Sequence, residues 1–237
     1  MEPFDTLLEV QERDTALGQL AHRRATLSER AALAAIDDEA RTVRRSREEV
    51  AARHSEVTAR ESRLEADTAS VDKRIHEVEG RLYGGTVSAS RELQAMADEA
   101  QSLRRRRADL EDQTLVVMEE LEPVDAELDA LDGQLDALDA RATVLLAALA
   151  EAEAGLDAEA AGVREIREVA AARLPAELSE RYERLRSRLG GIGAAPLGNG
   201  SCSGCHLQLP ATELDRIRRA PADAILTCDQ CGRILVR

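Results

Sequence analysis

From Leu93 onward, apolar side chains recur at alternating steps of three and four residues. The run passes through Met96, Ala100, Leu103, Leu110, Val117, Leu121, Val124 and Leu128 and continues to Ala170; of its 23 positions only Arg107, Thr114 and Glu159 are polar. A seam held in one phase for eleven heptads predicts a coiled-coil helix rather than a helix of a globular core. The first 80 residues carry a weaker companion pattern. Ile36, Val43, Val50, Val57, Leu64, Val71 and Val78 recur every seven residues, but the seam positions between them begin with the polar residues Arg47, His54, Glu61 and Thr68 before Ile75 and Leu82 restore apolar character. Upstream, Leu17, Leu20 and Leu27 hold a seam in a shifted phase, which places a discontinuity near residues 28–35.

Between these stretches the pair Gly84-Gly85 breaks the helix, and Ser88 or Ser90 can cap the next one. The expected fold is mostly α: a long antiparallel coiled-coil hairpin over residues 1–172 with its tip near 80–90, each arm roughly 120 Å long at 1.5 Å per residue. Pairing about the loop sets residue i against 172 − i, so Ile36 faces the region of Asp136 and Leu7 that of Glu165. Pro123 lies off the seam and is expected to kink the second helix without ending it. Pro175 reads as the first turn of a connecting helix within 173–189, and Gly190-Gly191-Ile192-Gly193 ends the helical pattern. The polar seam between Arg47 and Thr68 would leave Leu103, Leu110 and Leu121 imperfectly covered, which makes the tip half, about 47–121, the expected docking region.

Composition supports this class. Aromatics are 1% of the chain (Phe4, Tyr83 and Tyr182), charged residues are 33%, and the apolar set is mostly Ala, Leu and Val. That mix suits helices packed along narrow seams and argues against sheets, barrels and a deep apolar pocket. No Ser/His/Asp grouping or phosphate-binding glycine loop stands out, and His22, His54 and His76 are scattered, so neither enzyme activity nor a small-molecule substrate is expected. No run of about 18 apolar residues spans a membrane. Met1-Glu2-Pro3-Phe4-Asp5 does not resemble a signal peptide, so a cytoplasmic location is expected.

The net charge is −14, unevenly spread: residues 108–170 hold 18 acidic and 3 basic side chains. This suits a basic protein partner and disfavours DNA. The run Arg104-Arg105-Arg106-Arg107 invites a nucleic-acid reading, but in the expected register it faces Glu65 and Asp67, with Glu61 one turn away, as cross-helix ion pairs.

All four cysteines lie in the last 36 residues, as Cys202-Ser203-Gly204-Cys205 and, 22 residues on, Cys228-Asp229-Gln230-Cys231. Each C-x2-C turn presents two thiolates on one side of a tight knuckle, and two knuckles face to face make a closed tetrahedral sulfur cage. Gly204 and Gly232 supply backbone freedom. Residues 190–237 are therefore expected to form a small β zinc ribbon with one structural Zn²⁺ on Cys202, Cys205, Cys228 and Cys231, although iron fits the same spacing. With no aromatic to build a core, the ribbon should depend on metal for folding while the hairpin should not. Cys202-Ser203-Gly204-Cys205-His206 also matches a haem-attachment string, which would leave the second pair unexplained; His206 is expected at the surface or behind the ligands.

Tyr83-Gly84-Gly85-Thr86-Val87 followed by Arg91-Glu92-Leu93-Gln94-Ala95-Met96 resembles the hairpin tip of a bacterial family of coiled-coil hairpin proteins with a C-terminal C4-type zinc ribbon. The stretch from Cys202 to Pro210, and Cys228-Asp229-Gln230-Cys231-Gly232-Arg233-Ile234-Leu235, resembles that ribbon closely. The resemblance implies adapters or chaperones without enzymatic activity. Relatives bind the nitrogen-type alternative sigma factor, components of flagellar or type III secretion, and in one branch messenger RNA. The chain departs from the family in its Arg- and Ala-rich, actinobacterial character. Such bacteria often lack flagella and that sigma factor, so the architecture transfers and the named partners do not follow with it. Two readings are carried forward: an adapter that binds a protein through the hairpin with the ribbon as a second surface, and an RNA-binding regulator acting through Arg216, Arg218, Arg219, Arg233 and Arg237 of the ribbon. A hairpin satisfies its own seam and leaves pairing with a second copy open.

Overall fold

The structure is a computed structural model that describes residues 3–85 and 87–237; Met1, Glu2 and Thr86, the last within the expected tip, lie outside the described residues. Helices α1 (Pro3–Ala25), α2 (Ser28–Tyr83), α3 (Ser90–Ala171) and α4 (Ala176–Arg188) come first. Strands β1 (Ala194–Gly198) and β2 (Ser201–Cys202), helix α5 (Ala211–Arg219), and strands β3 (Leu226–Thr227) and β4 (Ile234–Val236) follow. This is the expected order of a long helical hairpin and a small strand region. Two compact units are present, one of residues 33–144 and one of residues 1–32 with 145–237.

Within 33–144, α2 and α3 run antiparallel and bury the expected seam: Ile36, Val50, Val57, Ile75 and Val78 on one side, Met96, Ala100, Leu110, Val117, Val124 and Leu138 on the other. The polar seam residues do not open it. Arg47 Nη2 donates to Asp132 Oδ2 at 3.1 Å, His54 Nε2 lies 3.0 Å from Asp125, and the Thr68 hydroxyl donates to the Leu64 carbonyl at 2.8 Å. Their stems cover apolar surface while their tips reach partners at the edge. Leu110 is 1% exposed, which corrects the expectation that it is poorly covered, while Leu103 and Leu121 are half-buried, as expected.

The register also differs from expectation. The pairs Arg47–Asp132 and Arg60–Glu120 place residue i opposite roughly 180 − i, about two turns from 172 − i. At the tip end of the seam, Val87 packs with Val78, Met96 and Ala100. In this register Arg104 pairs with Glu79, and Arg107 with Asp72 and Glu111, rather than with Glu65 and Asp67. Arg104–Glu79 and Arg107–Asp72 cross between the helices as expected, Arg107–Glu111 lies within α3, and Arg105 and Arg106 make no ion pair among the described residues; each exposed pair is worth about 0–1 kcal/mol.

In the other unit, the break between α1 and α2 falls at Thr26–Leu27, just before the expected window. The Thr26 hydroxyl donates to the His22 carbonyl at 2.9 Å, and Leu27 still packs with Leu20, Leu156 and Ala160. Helix α3 passes Pro123 without interruption. Past Leu156 its seam changes phase: Ala160 is buried and Arg167 turns inward, while Glu159 and Ile166 are exposed. The uniform heptad of the sequence fails here because this end of α3 meets α4 as well as α1. Arg167 Nε and Nη2 donate to Asp14 of α1, each at 3.2 Å, and Nη2 also donates to Glu183 of α4. The buried Tyr182 hydroxyl donates to Asp14 Oδ2 at 2.7 Å. Burial works against the Arg167 charge, but hydrogen bonds to both carboxylates hold it firmly protonated. Burial raises the Tyr182 phenol further, helped by Asp14.

Gln11, 6% exposed, joins this helical base to the strands. Its Oε1 accepts from the Gly193 and Ala194 N–H groups at 2.7 and 3.2 Å, and its Nε2 donates to the Gly191 carbonyl at 3.1 Å. A side chain at Gly193 would lie 2.9 Å from the Tyr182 ring, so glycine is required there. The sheet order is β2-β1-β4-β3, with β1 and β4 parallel and the other pairs antiparallel.

Two outcomes follow from this packing. Cysteines replacing Val50 and Leu128 should form a disulfide within one chain, read by peptide mass mapping, whereas a bond formed preferentially with Leu121→Cys would restore the 172 − i register. Gln11→Ala leaves two buried N–H groups without an acceptor and should cost about 2–4 kcal/mol, read as a lowered midpoint in urea.

Candidate metal centre

Strand β2 ends in Cys202 and β3 leads into Cys228, so each cysteine pair begins at a strand end. The two knuckles share one backbone design. The N–H of the residue after each pair donates to the carbonyl of its first cysteine: His206 to Cys202 at 2.8 Å, Gly232 to Cys228 at 2.7 Å. The first cysteine's own N–H donates five residues onward, Cys202 to Leu207 at 3.1 Å and Cys228 to Arg233 at 2.9 Å. Closing the turn needs a left-handed residue after each pair, and His206 has φ 59° and Gly232 φ 76°. His206 is thus an exposed turn residue and does not join the sulfurs. Gly204 serves differently from the expected backbone freedom: an added Cβ would sit 3.0 Å from Ala195 Cβ and against the Arg233 side chain, so its role is close packing.

The four predicted residues come together. All four cysteines are free, and their sulfurs all lie within 4.8 Å of one another. The Cys202–Cys231 separation is 3.9 Å and the Cys205–Cys228 separation 4.0 Å. A disulfide needs about 2.05 Å. A tetrahedral zinc with bonds of about 2.3 Å needs sulfurs about 3.8 Å apart, which these separations fit. The donor set is complete with four thiolates, leaving no position for a substrate.

Burial pushes the Cys202 thiol up and the Cys228 thiol up to about 12. Burial acts the same way on Cys231, but hydrogen bonds from the Arg233 backbone and side chain outweigh it and bring this thiol down to about 7. Four clustered sulfurs in partly apolar surroundings resist carrying charge together; a divalent cation is what makes four thiolates stable side by side.

Helix α5 was not anticipated in the ribbon, although Pro210 before it, Glu213 in its first turn and Arg216, Arg218 and Arg219 in its last are helix signals. It packs Ile217 and Leu214 against Cys202, Cys228, Leu209 and Leu235. Its Glu213, 5% exposed, accepts the Asp229 N–H at 3.0 Å, and Arg216 pairs with Asp229 at 2.8 Å, so α5 pins the second knuckle from behind. Arg233 pins it from the other side, donating to the carbonyls of Ile192 at 3.0 Å and Leu189 at 3.3 Å.

Comparison with known proteins agrees with both parts. Residues 10–190 match the model of the CT398-like coiled coil hairpin domain, and residues 201–235 that of the C4-type zinc ribbon domain. An uncharacterized protein of Mycobacterium tuberculosis is 32% identical over 232 residues, covering 98% of this chain and 94% of its own length. A solved structure from Mycobacterium smegmatis superposes with a TM-score of 0.89 at 28% identity, covering 99% of this chain and 97% of that one. CT398 from Chlamydia trachomatis superposes with a TM-score of 0.72 at 22% identity and the same coverage, a likeness of fold. The clustered cysteines and the matched ribbon are those of one structural zinc site.

The purified chain should carry one zinc, measured by elemental mass spectrometry, and Cys228→Ser should lose it. Protons compete with zinc for sulfur, so affinity should fall as pH falls. Iron in the aerobically purified protein, or full zinc in Cys228→Ser, would contradict the assignment.

Proposed function

The chain belongs to the CT398-like coiled-coil hairpin family and carries a C4-type zinc ribbon, and on that premise we propose that it is a non-enzymatic adapter or chaperone-like protein that holds a protein partner on its hairpin. The ribbon is its second contact surface, with Cys202, Cys205, Cys228 and Cys231 as the zinc ligands. The matched family models describe a coiled coil and a zinc ribbon and indicate no enzymatic family. The working division is a hairpin of residues 1–172, a connecting helix of 173–189 and a ribbon of 190–237. No helix among the described residues is long and apolar enough to cross a membrane, and a cytoplasmic location is part of this proposal.

The observation that carries the reading is the use made of the ribbon's cations. Arg216 pairs with Asp229 and Arg219 with Asp215. Arg237 donates to the carbonyls of Ile217, Ala220 and Pro221, and Arg233 to those of Ile192 and Leu189. Of the five arginines that suggested RNA binding, Arg218 alone makes no ion pair or hydrogen bond among the described residues. The ribbon also lacks aromatics on which bases stack. The hairpin, in contrast, carries acidic and apolar side chains that its own fold leaves open, including Leu115, Val116 and Met118.

Affinity capture from the native host, with and without nuclease, tests this. A protein should be retained after nuclease treatment, and labelled RNA should bind the full chain only weakly, with little affinity left at 200 mM salt. A partner recovered only while RNA is intact would favour the ribbon-centred alternative.

A further inference from the structure

Seam neighbours Thr114 and Val117 turn toward α2, yet beside them on α3 Leu115 and Met118 are 58% and 47% exposed. Leu115 borders an open groove whose far wall is Glu65, Thr68, Ala69 and Asp72 of α2. Along α3, Leu115, Glu119 and Glu122 follow one another at steps of four and three, so they form one stripe, whereas Asp112 lines a separate groove with Arg60, Arg63 and Val116. Within this stripe and across the groove, Glu119, Glu122 and Glu65 make no ion pair among the described residues. Of the other carboxylates lining the groove, Asp72 and Glu111 are both taken by Arg107, which leaves Glu65 as its open acid. From residue 108 to residue 140 the chain contains no Lys or Arg.

From this juxtaposition we infer that the groove beside Leu115 and Met118 docks a basic amphipathic helix of another protein. The apolar residues of that helix would seat on Leu115 and Met118, and its Arg or Lys residues on Glu65, Glu119 and Glu122. Two apolar anchors give a helix a place to lie, and a rim of uncompensated carboxylates selects its charge. A second copy of this chain is a poor occupant. A two-fold contact through this face would set the stripe on itself, carboxylate against carboxylate. The inference rests on the adapter reading and names the partner class for its hairpin site.

The test uses the full zinc-loaded chain and a fluorescein-labelled probe, a Leu/Arg peptide of about 18 residues patterned as an amphipathic helix. A Leu/Glu peptide of the same pattern is the control. Anisotropy gives affinity and hydrogen exchange gives the footprint. Binding should protect residues 61–72 and 108–122. Leu115→Ser with Met118→Ser should weaken binding about tenfold, and Glu119→Gln with Glu122→Gln should flatten its salt dependence. Both pairs are exposed, so thermal midpoints should stay near wild type. Equal binding after Leu115→Ser with Met118→Ser, a footprint elsewhere, or equal binding of the Leu/Glu peptide would overturn the inference. So would concentration-dependent dimerisation abolished by the same substitutions, which would make a second copy the occupant. Any of these leaves the adapter reading standing if host capture on the chain survives nuclease; if capture fails too, both fall.

Discussion

Strand β4 begins three residues after Cys231, and a strand sends successive side chains to opposite faces. Ile234 and Val236 are buried with Leu7, Val10, Ala170 and Tyr182 of the helical base, while Leu235 is buried with Cys202, Cys228, Leu209 and Ile217 around the sulfurs. Neither face could form a core alone: the ribbon holds no aromatic, and the helical base at this level is a few side chains deep. Three residues therefore hold two small cores together. The contacts around them reinforce this. Arg233 reaches from the second knuckle to the carbonyl groups after α4, and Gln11 of α1 satisfies the N–H groups where β1 begins. The metal centre and the base of the hairpin are thus one mechanical unit. This departs from the simple expectation of a metal-dependent ribbon beside a metal-independent hairpin.

Polar side chains at seam positions carry a second lesson. Arg47 and His54 looked like weak points, but each finds a carboxylate on α3, and Leu110 beyond them is sealed. They act as register marks in a seam of interchangeable Leu, Val and Ala layers. The exposed apolar side chains of α3 lie at Leu115, Val116 and Met118 in the tip half, and at Val144, Leu146, Ile166 and Val169 farther along. The tip half remains the region of interest for a reason different from the one its sequence suggested.

Much of the architecture was legible in one dimension. Heptad spacing announced α2 and α3, Pro175 announced α4, and the two C-x2-C pairs announced the sulfur cluster, because each depends on local spacing alone. The register was not legible, since a repeating heptad seam offers near-equivalent alignments one heptad apart, and only the cross-helix pairs such as Arg47–Asp132 and Arg60–Glu120 distinguish them. Nor was the group formed by Gln11, Asp14, Arg167, Tyr182 and Glu183. On single helices these read as solvated polar residues, and only the convergence of α1, α3 and α4 makes them a buried network. The phase change after Leu156 has the same origin.

Hydrogen exchange of the full chain before and after zinc removal with a chelator tests the shared role of β4 most directly. The account predicts that β1 and β4 lose protection together with α1 and α4, while residues 50–124 keep theirs. Loss confined to residues 190–237, with α1 and α4 as protected as before, would contradict it.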